Sequence, residues 1–255
     1  MMGLFETSLR FAIQLIPLSR KKRENKSYKG FIFDLDGVLV DSSRIHHDGW
    51  RKVLRQFGKD LDFQFFKREM FGKRGPESLA VIFGEAKFTP QEAKEISDRV
   101  DRNFVDTVAD SGEPIKGAIE FVRRLHDSGN RIALATSAPR PNVDAFLDAF
   151  SLRGIFDAEV CGDDVRDGKP DPEVFLKAAS MLCVEPGECV VFEDSLPGVT
   201  AAKAAGISCV AVLTTTTREY LKQADFFIND FLDESLSKVV EEKSRVQSQK
   251  QREKV

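Results

Sequence analysis

Phe31-Ile32-Phe33-Asp34-Leu35-Asp36-Gly37-Val38-Leu39-Val40-Asp41-Ser42 decides how this chain of 255 residues is read. Phe31-Ile32-Phe33 is a short apolar run that stops at acids and a glycine, the pattern of a buried strand ending in a loop. Asp34 and Asp36, two residues apart at that strand end, can both project toward one pocket. One can attack as a nucleophile while the other moves protons, the division of labour that covalent phosphoryl transfer requires. Gly37 lets the backbone turn sharply and approach an anion. An acidic turn closing a strand is common in α/β proteins, so this stretch acquires its meaning from what surrounds it.

Working outward, strand signals recur at Arg131–Ala135, Ala158–Val160, Cys189–Phe192, Ser208–Leu213 and, more briefly, Phe226–Ile228. Helical patterns stand between them: Ala118–Asp127, Pro141–Phe150, Pro172–Leu182 and Gly198–Ala205. Strands alternating with helices predict a parallel sheet with helices on both faces. In such sheets ligands gather at the carboxyl ends of the strands. Asp34, Thr136 and the Glu193-Asp194 pair all fall directly after a strand, which places them on one edge. Residues 44–111 break the alternation and read as helices over Ile45–Phe57, Phe63–Phe71, Ser78–Phe83 and Thr89–Val108. Thr89-Pro90-Gln91-Glu92 carries the start signal for the last of these, a capping Thr with Pro first and Glu third. An all-helical block after the first strand predicts an inserted cap.

Four elements carry chemistry. Beyond Asp34 and Asp36, Thr136-Ser137 follows a strand, where its hydroxyls and N–H groups can hold phosphate oxygens. Lys169 sits in Gly168-Lys169-Pro170-Asp171-Pro172, a rigid turn delivering a cation to a helix start. Phe192-Glu193-Asp194-Ser195 puts two acids at the end of a very apolar strand, before Gly198 and the small-residue run Ala201–Gly206. Acids at such a buried edge need a compensating cation, and Mg²⁺ with oxygen ligands is a natural one.

In this order the four elements resemble the motifs of the haloacid dehalogenase superfamily, in its helical-capped branch of phosphoglycolate phosphatases and β-phosphoglucomutases. The resemblance runs from about Tyr28 to about Ile228. It implies a Rossmann-like core with a helical cap, and a set of roles. Asp34 attacks phosphorus to form an aspartyl-phosphate, and Asp36 protonates the leaving oxygen and later deprotonates the incoming water or hydroxyl. Mg²⁺ is held by the Asp34 carboxylate, the Asp36 carbonyl and Asp194, with Glu193 joining directly or through water. Thr136 and Lys169 neutralise the transferring group, and Gly37 and Ser137 belong to the phosphate-binding loops. The second Asp argues against a dehalogenase, because halide departs without a proton.

The resemblance also places substrate recognition in the cap. His46, in His46-His47-Asp48-Gly49-Trp50, stands where capped sugar-phosphate enzymes often carry a histidine, with a plain surface helix position as the alternative. Lys73 and Arg74, in Gly72-Lys73-Arg74-Gly75-Pro76-Glu77, match the specificity loop and can bind a distal phosphate or sugar hydroxyls. The arginine falls one position earlier than in typical mutases, and Arg99–Asn103 offers no lysine of the kind mutases carry in the last cap helix. Both departures favour hydrolysis over phosphoryl return to a bisphosphate. The expectation is therefore a Mg²⁺-dependent phosphatase acting as a monomer on a small phosphorylated metabolite. A mutase, or a non-catalytic protein on the same fold, are the alternatives.

Domain bounds follow: core 28–43 and 112–235, cap 44–111, and two ends. The formal net charge of −3 supplies no positive field for nucleic acid. Four cysteines at 161, 183, 189 and 209 lack zinc-site spacing. Cys183, Cys189 and Cys209 lie in apolar stretches and read as core residues of a reducing compartment. Residues 1–27 hold a short apolar run, Leu4 to Leu18, too interrupted to span a bilayer, and then a basic stretch. They read as a loose extension of a cytoplasmic protein or as an organelle-targeting segment. Residues 236–255 read as a solvated helix running into a charged tail.

Overall fold

The computed structural model describes residues 28–240, so the N-terminal extension and the charged tail beyond 240 lie outside it. Strand β1 (Gly30–Phe33) is buried at all four positions. It runs parallel to β4 (Arg131–Ala135) on one side and β6 (Cys189–Glu193) on the other, with Phe33 opposite Leu134 and Phe192. Adding β5 (Ala158–Val160), β7 (Ser208–Val212) and β8 (Phe226–Ile228) gives a six-stranded sheet of order β5-β4-β1-β6-β7-β8, all pairs parallel. The chain leaves β1 toward β4 and β5, then returns to β6 and runs the other way. The reversal opens a crevice at the carboxyl ends of β4, β1 and β6.

The sheet sorts its side chains by parity, as a period of two demands. Phe31 and Phe33 face a core shared with α5 (Ala118–Asp127) and α6 (Arg140–Ala149), where Phe33 stacks on Phe192 at 4.7 Å. Ile32 faces the opposite core, formed by α7 (Glu173–Met181) and α8 (Leu196–Ala204). Both faces are covered, so the strands read as continuous apolar runs.

Four helices stand between β2 (Val40–Asp41) and β3 (Glu113–Pro114): α1 (Ser43–Leu54), α2 (Phe63–Glu69), α3 (Gly75–Phe83) and α4 (Pro90–Ser111). They bury a core of their own around Trp50, Leu54, Phe66, Leu79 and Val100. Helix α4 starts as its sequence predicts, with Glu92 N–H on Thr89 Oγ1 at 3.3 Å and Thr89 N–H on Glu92 Oε2 at 2.8 Å. β2 and β3 pair antiparallel, Val40 opposite Pro114 and Asp41 opposite Glu113, and tie together the strands entering and leaving the insertion.

Some expectations need correction. Glu193 is the last residue of β6 and not a loop residue, fully buried with the rest of that strand. Cys183 is exposed in a left-handed turn (φ 54°), and the third buried cysteine is Cys161. The helix expected to be solvated past 235 is in part a core element. Helix α9 (Ser235–Val240) buries Leu236 and Val239, an i, i+3 pair that settles on the β1 face. No helix of the described residues is long and apolar enough to cross a membrane.

Candidate active site

Asp34 follows β1 directly and is anchored by its own N–H on the Phe192 carbonyl at 3.1 Å, across the β1–β6 pair. That register sets Asp34 beside Glu193 and Asp194. Carboxylate oxygens of the three lie within 4.8 Å of one another, and all three residues are buried. Lys169 enters from the turn before α7. Its ammonium is 2.9 Å from Asp34 Oδ1 and donates to Glu193 Oε1 at 2.7 Å. Glu193 is saturated, because its Oε2 accepts the Ser195 N–H at 2.6 Å. Asp194 is not: its Oδ2 is buried without a hydrogen-bond partner among the described residues.

Three carboxylates therefore share one ammonium, and their ionisation reflects it. Burial pushes the Asp34 and Asp194 carboxyls up, and neighbouring carboxylates push further, against the pull of Lys169. The Lys169 ammonium is held above its ordinary range because its two carboxylate partners outweigh burial. A hard divalent cation fits this donor set: all-oxygen ligands, an excess of buried negative charge and one carboxylate oxygen still open.

Gly37 shapes the approach. It adopts φ +76°, and a Cβ there would lie 2.0 Å from Asp194 Oδ2, so only glycine allows the two loops to meet. Two residues outside the expected site hold these loops from the turn after β7. Thr214 Oγ1 donates to the Gly37 carbonyl at 2.5 Å and Thr215 Oγ1 to the Asp194 carbonyl at 2.9 Å. A run of four threonines directly after an apolar strand was the available signal, since it lands on the same edge as the acids.

Asp36 points toward the helical insertion. Ser42 Oγ donates to its Oδ1 at 2.5 Å, and His46 Nε2 meets the same oxygen at 3.0 Å. Burial raises the Asp36 carboxyl, but His46 and Ser42 outweigh it and hold it below its ordinary value. Conversely, burial lowers the His46 imidazole, but Asp36 and then Asp101 outweigh that and hold it above its ordinary value. His46 also stacks on Phe104 at 4.9 Å. His47 turns away and binds the Leu61 carbonyl at 2.9 Å inside the insertion.

The other expected residues divide. Thr136 is buried at the end of β4, its N–H on the Val160 carbonyl at 3.0 Å and its Oγ1 accepting the Ala138 N–H at 3.1 Å. Ser137 lines a cavity with Asp36, His46, Lys73 and Arg74. Lys73 is exposed at its rim. Arg74 is engaged by the protein itself, Nε to Glu77 Oε1 at 2.8 Å and Nη1 to the Arg166 carbonyl at 3.1 Å. Asp101 of α4 and Asn142 of α6 line the same cavity and were not foreseen. Asp101 lies in Arg99–Asn103, a stretch notable in the sequence only for its arginines and its lack of a lysine.

A parallel sheet whose crevice gathers acids and a buried lysine, roofed by an inserted helical block, defines a Rossmann-like α/β hydrolase of the capped kind. The chain belongs to the haloacid dehalogenase-like hydrolase family, whose model matches residues 28–206. It is 32% identical over 206 residues to validoxylamine A 7'-phosphate phosphatase of Streptomyces hygroscopicus subsp. limoneus, covering 81% of this chain and 95% of that protein. It is 35% identical over 188 residues to fructose-1-phosphate phosphatase YqaB of Escherichia coli, covering 72% and 96% respectively. Among solved structures, a mutant of CbbY from Rhodobacter sphaeroides in complex with xylulose-(1,5)bisphosphate superimposes with a TM-score of 0.73 at 28% identity, covering 80% of this chain and 95% of that one.

Proposed function

We propose that this protein is a Mg²⁺-dependent phosphatase that hydrolyses a small sugar or polyol phosphomonoester through an aspartyl-phosphate on Asp34. The observation that carries the reading is the buried Asp34–Lys169–Glu193–Asp194 cluster standing beside a separately tuned Asp36–His46 pair. One carboxylate is held for attack by an ammonium, and the other is held for proton transfer by an imidazole and a hydroxyl.

In the first step an Asp34 oxygen bonds to phosphorus as the ester P–O bond breaks, and the proton held between His46 Nε2 and Asp36 Oδ1 passes through Asp36 to the leaving oxygen. In the second, Asp36 takes a proton from water, which attacks the same phosphorus and releases Asp34 and inorganic phosphate. Lys169 fixes the Asp34 carboxylate and, with Thr136 and the Ser137 loop, offsets charge on the transferring oxygens. Asp34, Asp194 and the Asp36 carbonyl would hold Mg²⁺, with Glu193 behind them, and the ion would supply Lewis-acid stabilisation of that charge. Residues 44–111 serve as a cap that excludes water and reads the leaving group. The activities of the two relatives, both phosphatases of phosphorylated small molecules, support the same reading.

Phosphate release from a panel of sugar phosphates, with Mg²⁺ and with EDTA, tests it. Asp34→Asn is expected to lower kcat by about 10³-fold or more, as loss of a nucleophile does. Release that survives both EDTA and Asp34→Asn would sink the mechanism. Turnover that appears only with a catalytic amount of a sugar bisphosphate would make the protein a mutase.

A further inference from the structure

We propose that Asp101 and Asn142 form a hydroxyl-reading subsite, which selects a phosphate ester whose leaving group carries hydroxyls within reach of this wall. The proposal rests on the phosphatase reading for the position of the leaving group. Asp101 comes from α4 and Asn142 from α6, and both line the cavity that holds Asp36, His46 and Ser137. The leaving oxygen must depart next to Asp36, so the rest of the leaving group has to occupy this space.

Asn142 is 0% exposed, and its Nδ2 donates to Asp101 Oδ1 at 3.1 Å. A carboxylate only accepts, so the amide has to face Asp101 with nitrogen, which leaves Oδ1 over. That oxygen is buried and has no partner among the described residues. A buried carbonyl oxygen left without a donor is costly and calls for an explanation. With the Asp101 carboxylate beside it, the wall presents acceptors. Alcohol O–H groups donate to acceptors, whereas an ionised phosphate brings only further acceptors and negative charge.

One more feature agrees. Trp50 and Phe71 line the same cavity, giving the C–H face of a sugar or polyol an apolar wall.

The test compares hydroxyl-bearing esters (glycerol 3-phosphate, fructose 1-phosphate, glucose 6-phosphate) with phenyl phosphate, which has no hydroxyl. Asn142→Leu is near in size and removes the acceptor. It is expected to lower kcat/KM for the best hydroxyl-bearing ester by about 10- to 100-fold while phenyl phosphate stays within about 3-fold. Asn142→Ala, which removes the same acceptor and leaves the Asp101 charge beside His46 in place, should give effects of the same order. It also serves if the leucine variant does not fold. Equal losses on both kinds of ester would mean that the pair only joins α4 to α6, and would overturn the proposal. If no ester at all is hydrolysed, the phosphatase reading fails, and calorimetric binding of glucose 6-phosphate and phenyl phosphate still decides. Selective weakening of glucose 6-phosphate by either variant upholds the subsite, and equal weakening or none refutes it.

Discussion

Gly198 shows how a single atom can govern the site. It lies in the first turn of α8, where alanine would ordinarily stabilise a helix by about 1 kcal/mol. Here a Cβ would lie 1.7 Å from Glu193 Oε1 and 1.9 Å from its Cδ. Glu193 is walled in by Lys169 and the Ser195 N–H and has nowhere to retreat. Gly198→Ala is therefore expected to destabilise by about 1–3 kcal/mol, the usual range for overpacking. It should also reduce phosphate release, as Glu193 is driven off Lys169. Thermal unfolding reads the first effect, and an unchanged or raised Tm would show the helix preference winning. The His46–Asp36 pair makes a second residue-scale prediction. The His46 imidazole is raised, so its contribution is full below 6.5 and is lost as pH rises through the folded value. The Asp36 carboxyl is lowered, so its contribution is full above 3.8 and is lost as pH falls. The stability gap between wild type and His46→Gln, measured by urea unfolding, should be widest between those values and narrow as pH rises through the raised folded value of His46. A gap that widens with pH would show the imidazole buried neutral. Residues of this kind were legible where chemistry and local order coincide, as at Asp34, Asp36, Lys169 and Glu193-Asp194. Asp101 and Asn142 were not, because they meet only when α4 and α6 pack, and nothing local marks either one.

At the scale of elements, strands that fill both cores announced themselves as apolar runs. Arg131–Ala135, Ala158–Val160 and Phe226–Ile228 stand as their patterns predict. Elements defined by pairing alone did not: β2 and β3 have two residues each, too few for any period, yet they form the neck between core and insertion. Helix α3 begins three residues before its apolar pattern does, because Glu77 Oε2 accepts the Arg74 N–H at 3.2 Å and draws the start forward to Gly75. That same arginine is a bond between elements. Its side chain leans over Gly168, where a Cβ would lie 2.7 Å from Nε, and reaches the Arg166 carbonyl in the turn that delivers Lys169. Arg74→Ala removes this link without touching the acids or Lys169. The expected result is a modest loss of about 0.5–1.5 kcal/mol in stability, the net worth of a hydrogen bond, with a weaker KM as the cap opens more readily. A kcat loss approaching that of Asp34→Asn would place Arg74 on the substrate itself and give it the phosphate-binding role first expected of it.

For the whole molecule, the site is a local strain that the rest of the fold must carry. Three buried carboxylates face one ammonium, and Asp194 Oδ2 has no partner among the described residues. An unpaired buried charge weakens the folded state, so without metal these acids work against stability. Asp194→Asn removes one of those charges and keeps the shape. In EDTA the variant is expected to be the more stable protein, by about 1–2 kcal/mol, or roughly 2–8 °C in Tm for a domain of this size. Added Mg²⁺ should reverse the order. A ligand that binds only the folded state at 100 times its Kd stabilises by about 2.7 kcal/mol, and the variant, lacking a ligand oxygen of full charge, should gain far less. Scanning calorimetry of both proteins, with EDTA and across a Mg²⁺ series, reads the crossing directly. Should Asp194→Asn melt below wild type even in EDTA, the carboxylates are already balanced by the protein alone, and the cluster holds no excess charge for a divalent cation to neutralise.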